Sequence, residues 1–167
     1  MQPIEISATA RSDAPPSAVF TLLRDGATWP RWSMFSSFEL ERQGAPDPLG
    51  VGAIRVFVSP TRCAREEVVE LVEGRQLSYV LLSGMPFRNY RADVRLAPRP
   101  KGGTAISWQA RFAVERPGTG WFWRWVMRWA LGSTARRLAK AATDPAILAA
   151  AHASIAAAGA APAGAGA

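Results

Sequence analysis

The sequence predicts an α+β fold in which a curved antiparallel sheet of about six to seven strands wraps around a long C-terminal helix. Three observations support this prediction. One short strand and two short helices come first. About six segments of alternating apolar and polar residues follow one another through short turns, which is typical of antiparallel strands. The last long segment instead repeats its apolar residues every three or four positions, which is the period of a helix.

The first strand and the two short helices lie within residues 3–32. Ile4 and Ile6 alternate with polar residues, which indicates a strand. Asp13 and the two prolines that follow it are a helix-start signal. The helix they begin has an apolar face formed by Val19, Phe20, Leu22 and Leu23. A second short helix or turn is predicted over residues 28–32, so the two helices follow the first strand directly.

Alternation of apolar and polar residues begins near residue 35 and ends near residue 112. The predicted strands lie over residues 38–41, 54–58, 62–72, 77–81, 88–96 and 104–112. Glycine and proline are concentrated in the segments between them, as expected of turns. In the strand over residues 54–58, Val56 is placed on the inner face and Arg55 on the outer face. These strands are joined so closely that they must form one antiparallel sheet.

The C-terminal helix is predicted to run to about Lys140 and to be apolar on two sides. One stripe has helical spacing and consists of Trp123, Met127, Leu131, Thr134 and Leu138. A second stripe consists of Trp121, Trp125 and Trp129. A helix of this kind is gripped by the sheet on one side, so the sequence predicts a helix-grip architecture with a cavity between sheet and helix.

Residues 1–144 are predicted to form one domain, and residues 145–167 an Ala/Gly-rich tail outside it. The tail contains no charged residue. Because alanine has the highest helix propensity, a helix is predicted to about Ala158. The remaining residues, GAAPAGAGA, are predicted to be disordered.

The composition excludes several kinds of site. The chain contains one cysteine, Cys63, and one histidine, His152. A zinc site built from cysteine and histidine, which needs about four such ligands, is therefore excluded, as is a disulfide within the chain. His152 lies in the tail, so catalysis by a histidine base is not expected. We expect neither a metal nor a cofactor.

The net charge of +7 arises from 20 Lys+Arg against 13 Asp+Glu. The arginines are scattered along the chain without a dense basic run or a recognition motif, so no nucleic-acid partner is expected. The N-terminus lacks the pattern of a signal peptide, and no uninterrupted apolar run reaches about 18 residues. We therefore expect a soluble, cytoplasmic protein.

Several short segments between residues 14 and 108 carry a family resemblance. They are APPSAVF (14–20), WPRW (29–32), GVG (50–52), EVVE (67–70), GRQLSY (74–79) and GGT (102–104), with Trp108 in the strand that follows. In their order and spacing, these segments are similar to the SRPBCC superfamily of START-related, helix-grip proteins, in its bacterial polyketide cyclase/dehydrase-like branch. The resemblance covers residues 3–140. It implies binding of small hydrophobic molecules or lipids, cyclisation or aromatisation of polyketides in some members, and a place for Trp32 at the cavity mouth.

The inner faces of the predicted strands supply the candidate site. Tyr79 and Tyr90 are the two tyrosines of the chain, and both are predicted to face inward together with Arg88. These three are the catalytic candidates, because phenols protonate enolates and arginine binds oxyanions. Of the adjacent Glu66 and Glu67, one must face inward, and Glu67 beside an arginine is a further candidate. The predicted ligand-binding residues are Trp32, Val56, Tyr79, Leu81, Arg88, Tyr90, Trp108, Phe112, Met127 and Leu131.

The sequence leaves three functions open. The first is binding of a small hydrophobic ligand of lipid, polyketide or aromatic type in the cavity. The second is an enzyme of polyketide cyclase, aromatase or dehydrase type that uses tyrosine and arginine without metal or histidine. The third is a membrane-associated lipid or quinone chaperone, in which Trp121, Trp125 and Trp129 contact the bilayer. The lack of a histidine in the predicted domain favours binding over catalysis.

Overall fold

The computed structural model of the protein describes residues 3–160. Its elements in chain order are β1 (Ile4–Ser12), α1 (Pro16–Arg24), a 3₁₀ turn (Gly26–Thr28), α2 (Trp29–Trp32), β2 (Ser37–Arg42), β3 (Ile54–Val58), β4 (Cys63–Val72), β5 (Gln76–Ser83), β6 (Phe87–Pro98), β7 (Thr104–Val114), α3 (Gly120–Ala141) and α4 (Pro145–Ala160). The predicted α+β fold is confirmed in its class and in the order of its elements. Of the tail end predicted to be disordered, Gly159 and Ala160 belong to α4 instead, and residues 161–167 lie outside the described residues.

Within residues 3–160, the seven strands form one antiparallel sheet in the order β1-β7-β6-β5-β4-β3-β2. From β2 to β7, each strand pairs with the next along the chain. The first strand instead pairs with the last, with Ile4 opposite Phe112 and Ser12 opposite Thr104. Short hairpins therefore build most of the sheet, and one long-range pairing adds β1 to its edge.

The long helix α3 packs against the inner face of the sheet, mainly at β1 and β7. Met127, Leu131 and Leu138 of the predicted stripe are buried there, and Thr134 is half-buried. Burial of each large apolar side chain stabilises the fold by roughly 1.5–3 kcal/mol. Apolar side chains from the inner face of the sheet, including Val94 of β6, belong to the same hydrophobic core as these residues of α3.

The last helix, α4, packs against α1 and the 3₁₀ turn. Ala151 is fully buried in this contact. Ser154 donates a hydrogen bond from Oγ to Asp25 Oδ1 at 2.8 Å. The buried Asp25 also accepts a hydrogen bond from the Thr28 backbone N–H through Oδ2, at 3.1 Å. The part of the tail up to Ala160 is therefore packed on the helices that precede β2.

The outer face of the sheet carries arginines paired with acidic residues, in most cases across one intervening strand. Three arginines illustrate this arrangement: Arg65 with Glu41, Arg42 with Glu67, and Arg91 with Glu70 and Asp93. These pairs are partly or largely open to solvent, and such pairs contribute little to stability. They explain why arginine is scattered along the strands without forming a basic run.

None of the helices within residues 3–160 is both long enough and apolar enough to cross a membrane.

Candidate functional site

A cavity of about 460 Å³ lies between the inner face of the sheet and the N-terminal half of α3. Its walls come from β4, β5, β6, β7 and α3, and from the segments that flank β2 and β3. Most of the lining side chains are apolar, and a few are polar. Its volume falls in the range of about 300–1,000 Å³ that is typical of small-molecule sites. The grip of the sheet on α3 therefore leaves room for a ligand.

One end of the cavity is bordered by exposed side chains and forms its mouth. Met34, Phe122 and Trp129 are 41%, 43% and 57% exposed, respectively, and all three line the cavity. Across from α3, the turn between β3 and β4 contributes Arg62, whose guanidinium carbon lies 5.4 Å from the ring centroid of Trp123. The mouth is thus framed by the first turns of α3, the turn before β4 and the segment before β2.

The other end of the cavity is buried and contains polar groups. Tyr79 of β5, Tyr90 of β6 and Trp108 of β7 lie there, and the two tyrosine ring centroids are 6.2 Å apart. Trp108 Nε1 is buried and makes no hydrogen bond within the part of the chain that the structure describes. A buried N–H without a partner costs about 1–3 kcal/mol. An oxygen atom of a ligand at this position would recover that cost.

An ion pair between neighbouring strands forms part of the same buried end. Arg55 of β3 is opposite Glu66 of β4 and is fully buried. Its Nε donates to Glu66 Oε1 at 3.0 Å, Nη2 donates to the same oxygen, and Nη1 donates to the Leu23 carbonyl at 3.3 Å. Glu66 lines the cavity, and its Oε2 makes no hydrogen bond to any described residue. One carboxylate oxygen is therefore available to accept a hydrogen bond from a ligand.

Burial determines the protonation of the polar groups at this end. Burial raises the pKa of Tyr79 well above its usual value; the nearby Tyr90 and Glu66 add to the increase, and the adjacent Trp108 side chain opposes it. Burial likewise raises the pKa of Tyr90. Burial also raises the pKa of Glu66, although Arg55 opposes this effect. Both phenols therefore remain protonated at neutral pH and offer O–H donors beside the Trp108 N–H.

The raised pKa values predict a late alkaline titration. Because Tyr79 and Tyr90 are the two tyrosines of the chain, tyrosinate absorbance reports these residues alone. We expect the native protein to develop no tyrosinate signal near pH 10, where free tyrosine is about half ionised. The denatured protein should titrate near that value. Two native tyrosines with midpoints at about 10 would contradict the buried positions described here.

Six predicted residues line the cavity: Tyr79, Leu81, Tyr90, Trp108, Met127 and Leu131. Phe112 lies behind the wall. It is 1% exposed, and its ring centroid is 4.3 Å from that of Phe87 and 5.9 Å from that of Tyr90. Phe112 therefore supports the position of Tyr90 from the core.

The prediction that Arg88 shares the inner face with Tyr90 is wrong. The pairing of β6 with β7 is irregular between Arg88 and Arg91, and Asn89 has a φ of +52° there. This bulge turns both Phe87 and Tyr90 inward and leaves Arg88 exposed. Asparagine tolerates positive φ better than most residues, so the presence of Asn89 in the sequence could have indicated that the alternation breaks at this position.

The predicted inner face of β3 is also wrong. Arg55 and Phe57 are fully buried, whereas Val56 is half-buried and does not line the cavity. On β4, Glu66 is the glutamate that lines the cavity, and Glu67 forms an ion pair with Arg42 outside it. The alternation of apolar and polar residues along β3 predicted that Arg55 faces solvent. Arg55 can be buried because the carboxylate of Glu66 lies opposite it on β4.

Trp32 does not border the cavity mouth, contrary to the expectation. It is 6% exposed and packs on Trp29, with ring centroids 4.9 Å apart. The chain just beyond it provides Met34 and Phe35 to the cavity instead. The other lining residues, which the predicted ligand-binding set did not include, are Trp29, Ser59, Thr61, Arg62, Ala64, Glu66, Met85, Phe122, Trp123, Val126, Trp129, Ala130 and Thr134. Several of them lie in turns, where no periodic pattern indicates direction.

Among residues 3–160, no group of three or more histidine, cysteine, aspartate or glutamate side chains is arranged to hold a metal ion.

Comparisons with known proteins agree on this fold. The family model described as polyketide cyclase / dehydrase and lipid transport matches residues 3–143. No curated protein matches the chain. The solved structure of the XoxI protein from Bacillus cereus is similar at 15% identity and a TM-score of 0.68, covering 86% of this chain and 97% of that one. A START superfamily protein from Mycobacterium smegmatis is similar at 14% identity and a TM-score of 0.71, covering 81% and 94%, respectively.

Proposed function

We propose that this protein, which belongs to the polyketide cyclase/dehydrase and lipid transport family, binds a small hydrophobic molecule that carries an oxygen-containing group. Its predicted membership of the SRPBCC superfamily is confirmed. The helix-grip fold of that superfamily is consistent with binding of a hydrophobic ligand. The observation that carries the finer proposal is the buried Trp108 Nε1–H, which has no partner among the described residues and belongs to a residue of the cavity wall.

The cavity favours one orientation of such a ligand. Its apolar body would contact Leu81, Met127 and Leu131, whose side chains have no hydrogen-bond donor. Its oxygen would enter first and accept hydrogen bonds from Trp108 and a tyrosine. A ligand hydroxyl would in addition donate to the open oxygen of Glu66. A hydroxyl, enol or carboxylic acid fits this set of groups better than a hydrocarbon, which would leave the donors unpaired.

We favour binding over catalysis. One of the three catalytic candidates, Arg88, is exposed and lies outside the cavity wall. Tyr79 and Tyr90 remain in that wall, but their raised pKa values make ionisation costly. They therefore serve well as neutral donors that hold a ligand oxygen. A cyclase or dehydrase activity would have to be carried by Glu66 and the two phenols.

The proposed polar end predicts a preference between two aromatic compounds of similar size. We expect naphthol to bind roughly tenfold more tightly than naphthalene, because a tenfold difference corresponds to about 1.4 kcal/mol, the scale of one buried hydrogen bond. Calorimetric titration measures both affinities. A Tyr79→Phe/Tyr90→Phe variant keeps the rings but removes their hydroxyls, and it should lose much of the preference. Equal affinities of the wild-type protein for the two compounds would contradict the proposal.

A further inference from the structure

The outer side of α3 carries a row of exposed indoles next to the cavity mouth. Trp121, Trp125 and Trp129 are 76%, 68% and 57% exposed, respectively. They recur every four residues and so lie along one side of the helix, over about 12 Å. We call these three residues the tryptophan row. Solvent-exposed aromatic surface of this extent is unusual on a protein that acts alone in water, so the row needs a partner.

The charges on α3 favour an anionic partner. Arg124 and Arg128 are exposed and alternate with the indoles along the helix. No aspartate or glutamate occurs anywhere in residues 120–141. Tryptophan is enriched at the headgroup level of bilayers, and arginine binds lipid phosphates. A protein surface that covers the row would need both an apolar groove and acidic groups, whereas an anionic lipid bilayer offers apolar chains and phosphates together.

The tryptophan row is continuous with the cavity mouth. Trp129 belongs to the row and also lines the cavity. Phe122, which lies next to Trp121 on the first turn of α3, lines the cavity as well. A surface that covers the row would therefore also lie against the mouth. If that surface is a bilayer, an apolar molecule passes between the lipid and the cavity without crossing water, which avoids the cost of hydrating it.

We propose that the tryptophan row docks this protein on the surface of an anionic lipid bilayer, with the first half of α3 lying in the plane of the headgroups. The helix lies on the bilayer and does not cross it. Docking uses only the outer side of α3 and requires no molecule in the cavity. Docking can therefore be tested independently of the proposed ligand binding. In a docked protein, the cavity mouth would lie at the bilayer surface, where hydrophobic ligands are most abundant.

Vesicle co-sedimentation tests this proposal. Wild-type protein should sediment with phosphatidylcholine vesicles that contain phosphatidylglycerol, and less with pure phosphatidylcholine or at high salt. A Trp121→Ala/Trp125→Ala variant should bind the anionic vesicles roughly tenfold more weakly, and Arg124→Gln/Arg128→Gln should also weaken binding. A Val51→Ala/Val72→Ala variant is the matched control, because these residues are 47% and 42% exposed but lie outside the row.

Three results would overturn the proposal. The first is a wild-type protein that sediments with neither vesicle, and the second is equal sedimentation of the wild type and the Trp121→Ala/Trp125→Ala variant. The third is a wild-type protein that binds no vesicles but forms a dimer in analytical ultracentrifugation without lipid, while the variant is a monomer. The row would then join two copies of the chain. Retained naphthol binding by the variant would show that its fold and cavity are intact.

Discussion

Replacing Arg55 by methionine is expected to destabilise the protein by about 3–5 kcal/mol, which is the usual cost of breaking a buried ion pair. The guanidinium holds Glu66 Oε1 through two N–H groups and also bonds the Leu23 carbonyl. It lies 5.4–5.8 Å from the ring centroids of Trp29, Phe57 and Tyr79. Its removal leaves the Glu66 carboxylate buried without a counter-charge. Urea denaturation measures the change in the free energy of unfolding.

Two control variants make this prediction specific. Arg55→Met/Glu66→Met should recover much of the lost stability, because replacing both partners of a buried pair with apolar groups is often nearly neutral. Arg65→Met removes an arginine from an exposed pair with Glu41 and should have a much smaller effect. An Arg55→Met protein as stable as the wild type would show that the pair does not hold β3, β4 and α1 together.

The second large effect is expected when the cavity is filled. Ala130 lies on α3 and lines the cavity, so Ala130→Phe should place a phenyl ring in the space a ligand needs. We expect the affinity for naphthol to fall by about a hundredfold, or roughly 2.7 kcal/mol. Titration calorimetry measures the affinity, and circular dichroism establishes that the variant is folded.

Ala149→Phe is the matched control for the cavity-filling variant. Ala149 is an exposed alanine of α4 and lies away from the cavity. The same substitution there should leave naphthol binding unchanged. If Ala130→Phe is folded and binds naphthol as well as the wild-type protein does, the ligand binds elsewhere, and the cavity between sheet and α3 is not the site.

The fold was predictable because its elements have strong periodic patterns. The alternation from Thr104 to Phe112 and the spacing of Met127, Leu131 and Leu138 each indicate one element type and one buried face. Six antiparallel strands followed by a long helix with an apolar stripe leave few architectures in which the inner face of the sheet is covered. These patterns are local, so a single sequence contains them.

The lining residues of the candidate site were predictable where a strand alternates regularly. They were not predictable where the pairing of two strands or a bulge determines which face a side chain occupies. Tyr79 and Trp108 line the cavity as the alternation of β5 and β7 predicts. Arg55 faces inward because Glu66 lies opposite it, and this depends on a register that a single sequence does not reveal. The exposure of Arg88 depends on one residue, Asn89, whose positive φ shifts the alternation of β6.

The measurement that tests ligand binding most directly is the NMR signal of the tryptophan indole N–H groups during addition of naphthol. The chain has seven tryptophans, and a Trp108→Phe variant identifies the Trp108 signal. We expect that signal to move downfield as its N–H, unpartnered in the described part of the chain, bonds the naphthol oxygen, while Trp121 and Trp125 stay unchanged. A stationary Trp108 signal at saturating naphthol, with shifts at Trp121 and Trp125, would contradict binding in the cavity.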